Sequence, residues 1–411
     1  MKKRLGVVLV LKKNPYKFTV LSMYVNYILQ GMAAIILSQN LASLVEQMDT
    51  TVPRFFTFVI TAIGLGRIVS LPIAGWISDK YNRKLVIVLG MASYFLFFGG
   101  ILFSNNLYLG IFFALFAGVA NALLDTGTYP ALLEAMPELF DSTSVLIRAF
   151  ISVGQFILPL IVGFTIANEL YFGISFLFCL AILMINMVVM LKFVPFPPKN
   201  NDLREHKGDV VPAIKPPISH YLAGACLLLF GFTAVSTFNI FVNWIPHVAE
   251  TVIGMSAEAA VRVVSVYSLF SFISVITTSI LVKKWIKPMY LVLGYTTGAC
   301  LTLVALAYFP SLLTAYLAAF GVGFFATGGI WQLGLATLLE LFSANKGKIT
   351  SYYSFLTSLG IMLMPFITGQ LQPENIMQFA TAISLAGILL SLIIIVCIRE
   401  RANLIDTSVS N

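Results

Sequence analysis

Charged side chains are scarce in this sequence. Asp, Glu, Lys and Arg make up 10% of the 411 residues, whereas hydrophobic residues make up 59%. Soluble globular domains carry about 25% charged residues. Because so few charges cannot cover a chain of this size in water, the composition excludes an ordinary soluble protein and indicates that lipid surrounds most of the chain.

Residues that bind metals or attack substrates are also few. The 4 cysteines lie in apolar runs and form no CxxC, and the 3 histidines are scattered near the ends of these runs. The sequence contains no P-loop, GxSxG, HExxH or dinucleotide fingerprint. We therefore expect no disulfide framework, no metal site, no cofactor and no enzymatic activity.

Apolar runs of about 20 residues recur along the whole chain, and each is long enough to cross a hydrocarbon core of about 30 Å. The runs do not alternate between polar and apolar residues, so they predict helices. The sequence thus predicts an all-α polytopic membrane protein. We expect it in the cell membrane, of the bacterial inner or cytoplasmic type. The twelve predicted spans are 17–43, 54–77, 85–104, 108–133, 143–166, 169–195, 219–245, 257–282, 287–309, 311–341, 349–370 and 374–398.

The distribution of positive charge predicts the orientation of the chain. All but four of the 25 Lys and Arg residues lie near the termini or in the loops that follow even-numbered spans. The exceptions are Arg54, Arg67, Arg148 and Arg262. The positive-inside rule then places both termini in the cytoplasm. The net charge of +8 is explained by topology, and we expect no nucleic-acid partner.

One long polar segment divides the chain. Residues 196–217 are rich in Pro, Asn and charge, which is typical of a solvated linker. They separate six predicted spans in residues 1–195 from six in residues 218–411. We therefore expect an N-terminal bundle, a cytoplasmic linker and a C-terminal bundle with a short tail.

The two halves resemble each other in sequence. Segment 117–140 aligns with 320–342, with Gly118 over Gly321, and segment 158–163 aligns with 364–369. Several matches in one register predict two pseudo-symmetric six-helix bundles. This architecture is typical of transporters that rock about a site near the membrane midplane.

A polar cluster, GWISDKYNRK, separates two apolar runs at residues 75–84. It resembles the signature loop G-x-x-x-D-R/K-x-G-R-R/K of the major facilitator superfamily and falls where that family has it, between spans two and three. The resemblance extends over the whole chain through the spans, the linker and the repeat, and it implies the major facilitator fold. At the second glycine of the motif this chain has Asn82. Asn tolerates a left-handed turn, so we expect the tight turn to survive.

We interpret this loop as a cytoplasmic latch between the two halves. Gly75 would let span two approach a neighbouring helix closely. Asp79 would face the N-terminal end of a helix from the other half, or a cation. Lys80, Arg83 and Lys84 would hold the loop at the membrane interface. The alternative is that these charges only set the topology.

Arg67, Asp125 and Arg148 lie within predicted spans, where a charge costs at least about 2.5–3.5 kcal/mol and is a functional candidate by default. Arg67 in span two and Asp125 in span four lie roughly 12–16 Å from the cytoplasmic ends. Spans two and four are neighbours in this superfamily, so we predict that the two residues pair or share a cavity. Asp125 is the candidate for proton coupling, and a permanent ion pair is the alternative. Arg148, shallower in span five, is either a site residue or an interfacial side chain that reaches toward water.

In this superfamily, spans one, four, seven and ten line the central cavity. Polar residues four apart in three of these spans share one side of their helix. We predict that they line the cavity and contact the solute, and the alternative is hydrogen bonding between helices. Besides Asp125, the predicted cavity residues are Asn26, Gln30, Asn121, Asn239, Asn243, Trp331 and Gln332.

The resemblance implies a secondary active transporter that moves a small organic solute by alternating access. We predict proton coupling and a monomer, and leave export and uptake open. A multidrug:proton antiporter is an alternative. Span five keeps Gly154, Pro159 and Gly163 of the exporter motif G-P-x-x-G-G but has Leu158 and Val162 in place of glycines. A second alternative is a membrane receptor or scaffold that kept the fold and lost transport, and the acids in the motif loop and in span four argue against it.

Overall fold

The computed structural model describes residues 15–136, 140–196, 218–284, 288–342 and 346–409, which form helices joined by short turns and contain no strand. Two π-helical turns, Phe55–Ile60 and Val322–Ala326, lie between α-helical segments of the chain. The helices are α1 (Lys17–Ala33), α2 (Ile36–Gln39), α3 (Leu41–Gln47), α4 (Val52–Arg54), α5 (Thr61–Lys80), α6 (Arg83–Leu102), α7 (Leu107–Ala135), α8 (Phe140–Ala167), α9 (Ile174–Lys192), α10 (Ile218–Thr251), α11 (Ala257–Lys284), α12 (Pro288–Tyr308), α13 (Leu312–Gly321), α14 (Ile330–Leu341), α15 (Lys346–Thr368) and α16 (Pro373–Val409).

Side-chain caps fix the starts of some of the long helices. Asn106 accepts a hydrogen bond from the Leu109 N–H at 3.0 Å before α7, and Ser311 and Thr314 form a reciprocal capping box at the start of α13. Among the described residues, 10 helical stretches are long and apolar enough to cross a membrane. The other two predicted spans fold as α1 followed by the short α2 and α3, and as α15. Twelve spans with cytoplasmic termini therefore remain a prediction.

The chain forms two compact units, Met1–His206 and Lys207–Asn411. The predicted linker, residues 196–217, lies almost wholly outside the described residues. The predicted boundaries, with an N-terminal bundle in residues 1–195 and a C-terminal bundle in residues 218–411, therefore remain a prediction.

Glycines bring two pairs of helices in the first unit into backbone contact. A Cβ added to Gly31 of α1 would lie 2.1 Å from the carbonyl oxygen of Ile151 in α8, and one added to Gly118 of α7 would lie 2.0 Å from the carbonyl oxygen of Ile63 in α5. Because no side chain fits at either place, the backbones of these helices can approach closely. The second crossing lies beside the candidate site.

The second unit contains a crossing of the same kind. A Cβ added to Gly323 would lie 2.3 Å from the carbonyl oxygen of Tyr267 in α11. In this contact Gly323, and not the aligned Gly321, corresponds to Gly118 of the first unit.

The predicted continuous span 311–341 is interrupted in the structure. The first helical part ends with the π-helical turn, and α14 starts after Gly329, which has φ +102°. Glycine adopts this left-handed conformation without a steric penalty. Ser274 of α11 donates to the carbonyl oxygen of Phe324 at 2.5 Å and satisfies an acceptor next to the interruption. Span ten is thus a discontinuous helix, a feature that occurs near the binding sites of transporters.

Candidate functional site

An ion pair links α5 to α7 inside the first unit. Arg67 Nη2 lies 3.0 Å from Asp125 Oδ2, and the Tyr27 hydroxyl of α1 donates to Asp125 Oδ1 at 3.1 Å. The two charged side chains are 19% and 20% exposed. The structure thus brings Arg67 and Asp125 together, and it adds Tyr27 as a partner. Both oxygens of one carboxylate are held by groups from two different helices.

The close crossing of α5 and α7 determines where this pair forms. A Cβ added to Gly118 would lie 2.4 Å from the backbone nitrogen of Arg67, so the two helices touch at the residue that supplies the cation. Asp125 lies about two helical turns further along α7. The backbone contact therefore holds the guanidinium and the carboxylate within reach of each other without a flexible loop.

Polar groups surround the ion pair. Asn121, one turn before Asp125 on α7, accepts a hydrogen bond from the Tyr94 hydroxyl of α6 at 2.5 Å and is half-buried. Tyr129, one turn after Asp125, is 37% exposed and lies within electrostatic range of Asp125 and of two arginines, Arg67 and Arg148. Arg148 of α8 is half-buried. The face of α7 that carries Asn121, Asp125 and Tyr129 therefore combines hydrogen-bonding and charged groups inside a membrane helix.

Asn26 of α1 forms a hydrogen bond to a neighbouring helix. It is 1% exposed, and its Oδ1 accepts a hydrogen bond from Asn186 Nδ2 of α9 at 2.8 Å. Asn186 also donates to the Ser22 carbonyl at 3.0 Å and accepts from the Ser22 hydroxyl at 2.7 Å. Asn26 thus takes part in hydrogen bonding between α1 and α9 through its Oδ1, while its Nδ2 has no hydrogen-bond partner among the described residues. Its predicted place in the cavity remains a prediction.

Two glutamines lie near the crossing of α1 and α8. Gln30 is half-buried and Gln155 of α8 is 3% exposed, and the Oε1 atom of each is buried without a hydrogen-bond partner among the described residues. Gln155 was not predicted. An apolar run that contains one Gln gives no sign of which way the side chain points, so only the structure identifies it. Buried acceptors of this kind are available to a hydroxyl or amine of a solute, or to a water molecule.

In the second unit the predicted residues occupy different environments. Asn243 is 4% exposed and donates to the carbonyl oxygen of Asn239 at 3.0 Å, whereas Asn239 is half-buried and Gln332 is exposed. Trp331 is half-buried, its carbonyl accepts from the Tyr353 hydroxyl at 3.0 Å, and its indole N–H has no partner among the described residues. Asn239 and Trp331 thus keep free polar groups, and Asn243 is used within its own helix.

Arg83 of the signature loop is buried within the first unit. It is 2% exposed and donates to the backbone carbonyl of Ser78 and, at 2.6 Å, to the Ser78 hydroxyl at the end of α5. Its Nη2 lies 3.3 Å from Glu134 Oε1 of α7, and the Glu134 side chain is 5% exposed. Arg83 therefore joins α5, α6 and α7, and Glu134 is a buried ion-pair partner that the sequence did not identify.

The other residues of the loop also form contacts within the first unit. Lys84 Nζ donates to the carbonyl oxygens of Leu191 at 3.0 Å and Val194 at 3.3 Å, which caps the C-terminal end of α9. Lys80 is exposed, and its Nζ lies 4.8 Å from the ring centroid of Trp76. The predicted role of these basic residues at a membrane interface remains a prediction.

Two expectations about the loop backbone are wrong, and a third lies outside the description. Asn82 has φ −73° and ψ 140° and caps α6 by accepting from the Lys84 N–H at 3.0 Å, so it does not form a left-handed turn. A Cβ added to Gly75 meets no atom within 4 Å among the described residues, so the expected close approach of a neighbouring helix is absent there. The side chain of Asp79 lies outside the described residues, and the latch remains a prediction.

Comparisons with known proteins give the family. The sequence profile of the Major Facilitator Superfamily matches residues 18–365. The chain is similar to the inner membrane transport protein YdiM of Escherichia coli K12, with 36% identity over 391 residues, which cover 93% of this chain and 95% of that protein. It is also similar to the uncharacterized MFS-type transporter YfkL of Bacillus subtilis 168, with 34% identity over 351 residues, which cover 85% of this chain and 88% of that protein.

Solved structures show the same fold. A D-xylose–proton symporter superposes with a TM-score of 0.70 at 14% identity, covering 92% of this chain and 97% of that one. A bacterial homologue of the human lysosomal transporter Spinster superposes with a TM-score of 0.68 at 12% identity, covering 94% and 98%. The predicted all-α fold of this type and the location as a multi-pass protein of the cell membrane are confirmed. The chain belongs to the Major Facilitator Superfamily of membrane transporters.

Proposed function

We propose that this protein is a secondary active transporter that moves a small polar organic solute across a bacterial inner membrane by alternating access, coupled to protons through Asp125. The observation that supports the proposal most directly is the arrangement at Asp125, where Arg67 and Tyr27 bind one oxygen each within a membrane helix. Two relatives, each with 36% identity, are named inner membrane transport proteins, which agrees with this location.

The chemistry of proton coupling follows from the cost of an unpaired charge. An isolated carboxylate inside the membrane costs at least about 2.5–3.5 kcal/mol on insertion scales. Asp125 avoids this cost while Arg67 lies 3.0 Å away. If a change of state or a bound solute draws Arg67 away, uptake of a proton neutralises the carboxylate instead. Each of the two side chains is about one fifth exposed, so the pair is not sealed off from its surroundings.

Unpaired groups on α1, α5 and α8 of the first unit indicate the kind of solute. The side-chain amide oxygens of Gln30 and Gln155 are buried and have no hydrogen-bond partner among the described residues. The Nε–H of Arg67 is likewise buried without a partner there. These groups offer both acceptors and a donor, which suits hydroxyl, amine or carbonyl groups of a small polar molecule. We propose a monomer as the transporting unit, with uptake and export equally compatible with this arrangement.

A multidrug:proton antiporter is a second candidate, which one similarity favours. Multidrug resistance protein 1 of Bacillus subtilis 168 is 24% identical over 361 residues, covering 82% of this chain and 86% of that protein. Against this candidate, Leu158 and Val162 replace glycines of the exporter motif, and both side chains are fully packed, at 0% and 1% exposure. Leu158 and Val162 pack in the core of the first unit, so α8 lacks the small-residue surface that the glycines of the exporter motif would give.

The test is transport in proteoliposomes with an imposed pH gradient. Wild-type protein is screened with a panel of sugars, organic acids, amines and drugs, and the solute that is moved is then assayed with Asp125→Asn. We expect the gradient to drive wild-type accumulation and the variant to retain only exchange of solute, because the amide can bind but cannot carry a proton. Accumulation of a drug in preference to every metabolite supports the antiporter instead.

Glu134→Gln is the matched control. It changes another carboxylate that pairs with an arginine at 3.3 Å, but this pair ties helix ends and is 2% and 5% exposed. We expect its transport per folded molecule to keep the dependence on the gradient. Wild-type flux that ignores the pH gradient would refute proton coupling, and a panel without any transported solute would favour a receptor or scaffold.

A further inference from the structure

An open apolar groove runs along the surface of the first unit, between α5 and α6 with α7 as its floor. It has a volume of about 660 Å³, within the range of about 300–1,000 Å³ that ligand sites have. The residues of α5 that line it lie between positions 65 and 77, which is about 18 Å of helix. Half of a hydrocarbon core of about 30 Å is about 15 Å thick, so the groove is about as long as one leaflet of the membrane is deep.

The groove exists because of the way that α5 and α6 pack. Both helices lie against α7, and among the described residues they scarcely touch each other. A Cβ added to Gly66 of α5 would lie 2.2 Å from the carbonyl oxygen of Leu115, and one added to Gly90 of α6 would lie 2.9 Å from Leu124 Cγ. The glycines thus draw each helix onto α7 and leave an open space between the two.

The lining that the structure describes is apolar apart from two serines. Ser70 donates its hydroxyl proton to the Gly66 carbonyl at 2.5 Å, and Ser93 donates to the Leu89 carbonyl at 2.9 Å, so both hydroxyls are bonded within their own helices. At the mouth of the groove, Val69 is 60% exposed. A concave apolar surface on membrane helices suits a hydrocarbon chain, which gains contact on several sides there.

A positive charge and two aromatic rings lie at the end of the groove next to the signature loop. Lys80 comes one helical turn after Ile77, which lines the groove, so the two side chains leave α5 on the same face. Lys80 is exposed, and its Nζ lies 4.8 Å from the ring centroid of Trp76 and 5.5 Å from that of Tyr81. Both rings are exposed, and exposed Trp and Tyr are typical of the level of the lipid headgroups. The apolar groove therefore ends at a cation where a headgroup would lie.

We propose that this groove binds one molecule of an anionic phospholipid, with an acyl chain between α5 and α6 and its phosphate group at Lys80. Basic residues beside clefts between membrane helices bind anionic headgroups, and an ammonium bonds to phosphate with the added strength of charge. The chain supplies buried apolar area, and Lys80 selects the charge of the headgroup. The bound lipid would support α5, which carries Arg67, on the side that α6 leaves open.

The test compares two lipids that have the same acyl chains. The full-length protein is unfolded thermally in detergent micelles that contain dioleoylphosphatidylglycerol, which is anionic, or dioleoylphosphatidylcholine, which has no net charge, at equal mole fraction. We expect the anionic lipid to raise the midpoint by about 3–5 °C more at a tenfold excess over its dissociation constant. Native mass spectrometry should show one phosphatidylglycerol bound per chain.

Two variants separate the chain from the headgroup. Ala92 of α6 lines the groove and is half-buried, so Ala92→Phe would occupy the space of the acyl chain and should abolish the binding of either lipid. Lys80→Gln leaves the groove intact and removes the charge, so the variant should have the same midpoint in both lipids. Lys80 is exposed, so this second measurement does not depend on the folding of the groove variant.

Each variant has a matched control in the first unit. Ala181 of α9 is exposed and does not line the groove, and Ala181→Phe should keep one bound phosphatidylglycerol. Lys17 at the start of α1 is an exposed lysine whose Nζ also lies near an aromatic ring, 5.2 Å from the centroid of Phe18. Lys17→Gln should keep the full difference between the two lipids.

Four results would overturn the proposal. Equal wild-type midpoints in the two lipids would mean that the headgroup is not recognised. Binding that Ala92→Phe retains would place the lipid elsewhere, and a difference between lipids that Lys80→Gln retains would assign the headgroup to another cation. A dimer that Ala92→Phe separates would mean that a second copy of the chain covers the groove. These measurements need no transported solute, so failure here is distinguishable from failure of the proposed transport function.

Discussion

Replacing Gly118 by alanine tests the contact that positions the ion pair. The added Cβ would lie 2.0 Å from the carbonyl oxygen of Ile63 and 2.4 Å from the nitrogen of Arg67, whereas real Cβ atoms essentially never come within 3.0 Å of another heavy atom. Both neighbours are backbone atoms, so α5 and α7 must separate by about 1 Å or more. The distance from Arg67 to Asp125, now 3.0 Å, would then approach the limit for an ion pair, which is about 4 Å.

The expected effect combines two opposite terms. Gly→Ala in a helix interior normally stabilises by roughly 0.5–1 kcal/mol, because alanine loses less conformational freedom on folding. Overpacking against an unyielding neighbour costs about 1–3 kcal/mol, and occasionally more. The second term is larger, so we expect Gly118→Ala to lower the unfolding midpoint and to weaken the proposed proton-coupled transport together.

Gly99→Ala is the control in the same unit. Gly99 lies within α6, and a Cβ added there meets no atom within 4 Å among the described residues. This substitution should leave the midpoint unchanged or raise it slightly. The two variants are compared by thermal unfolding in detergent and by uptake into proteoliposomes. If Gly118→Ala is as stable and as active as Gly99→Ala, the close crossing does not position the ion pair.

Three further predictions concern polar contacts of the first unit. Exchanging Arg67 and Asp125 in a double variant should recover part of the folded yield lost in either single variant, since the pair is re-formed; a double variant no better than the worse single variant would contradict the pairing. Arg83→Met should cost about 3–5 kcal/mol by leaving Glu134 charged and buried, and calorimetry should show a correspondingly lower midpoint. Asn186→Leu should cost about 1–2 kcal/mol, because it removes the hydrogen bonds from α9 to α1, while the gradient dependence of transport is retained.

The long apolar runs made most of the helices predictable from the sequence, because backbone groups in lipid must be satisfied within the helix itself. Charge within a span is equally visible, and this rule identified Arg67 and Asp125 before their contact was known. The interruption at Gly329 was missed although Thr327-Gly328-Gly329 is present in the sequence. Glycines are common in membrane helices, so two in succession do not show which of them adopts a positive φ.

The hydrogen-bond partners of Asp125 and Asn26 could not be predicted, because the sequence does not show in which direction a side chain points from its helix. Tyr27 and Asn186 look like many other polar residues in apolar runs, and their side chains matter only because of the rotation of α1 and α9 about their axes. The sequence likewise does not show that the Gln155 side chain points into the first unit. The role of Asn82 was misjudged because Asn suits both a left-handed turn and a helix cap, and the structure uses it as a cap.

The contacts of the signature loop limit how the first unit can move. Arg83 connects the ends of α5 and α7, and Lys84 is bonded to the end of α9 through Leu191 and Val194. Sliding any one of these helices past the others would break several bonds at once. In a transport cycle, the ends of α5, α6, α7 and α9 must therefore move together as one rigid group. Any bending of helices has to occur in other parts of the chain.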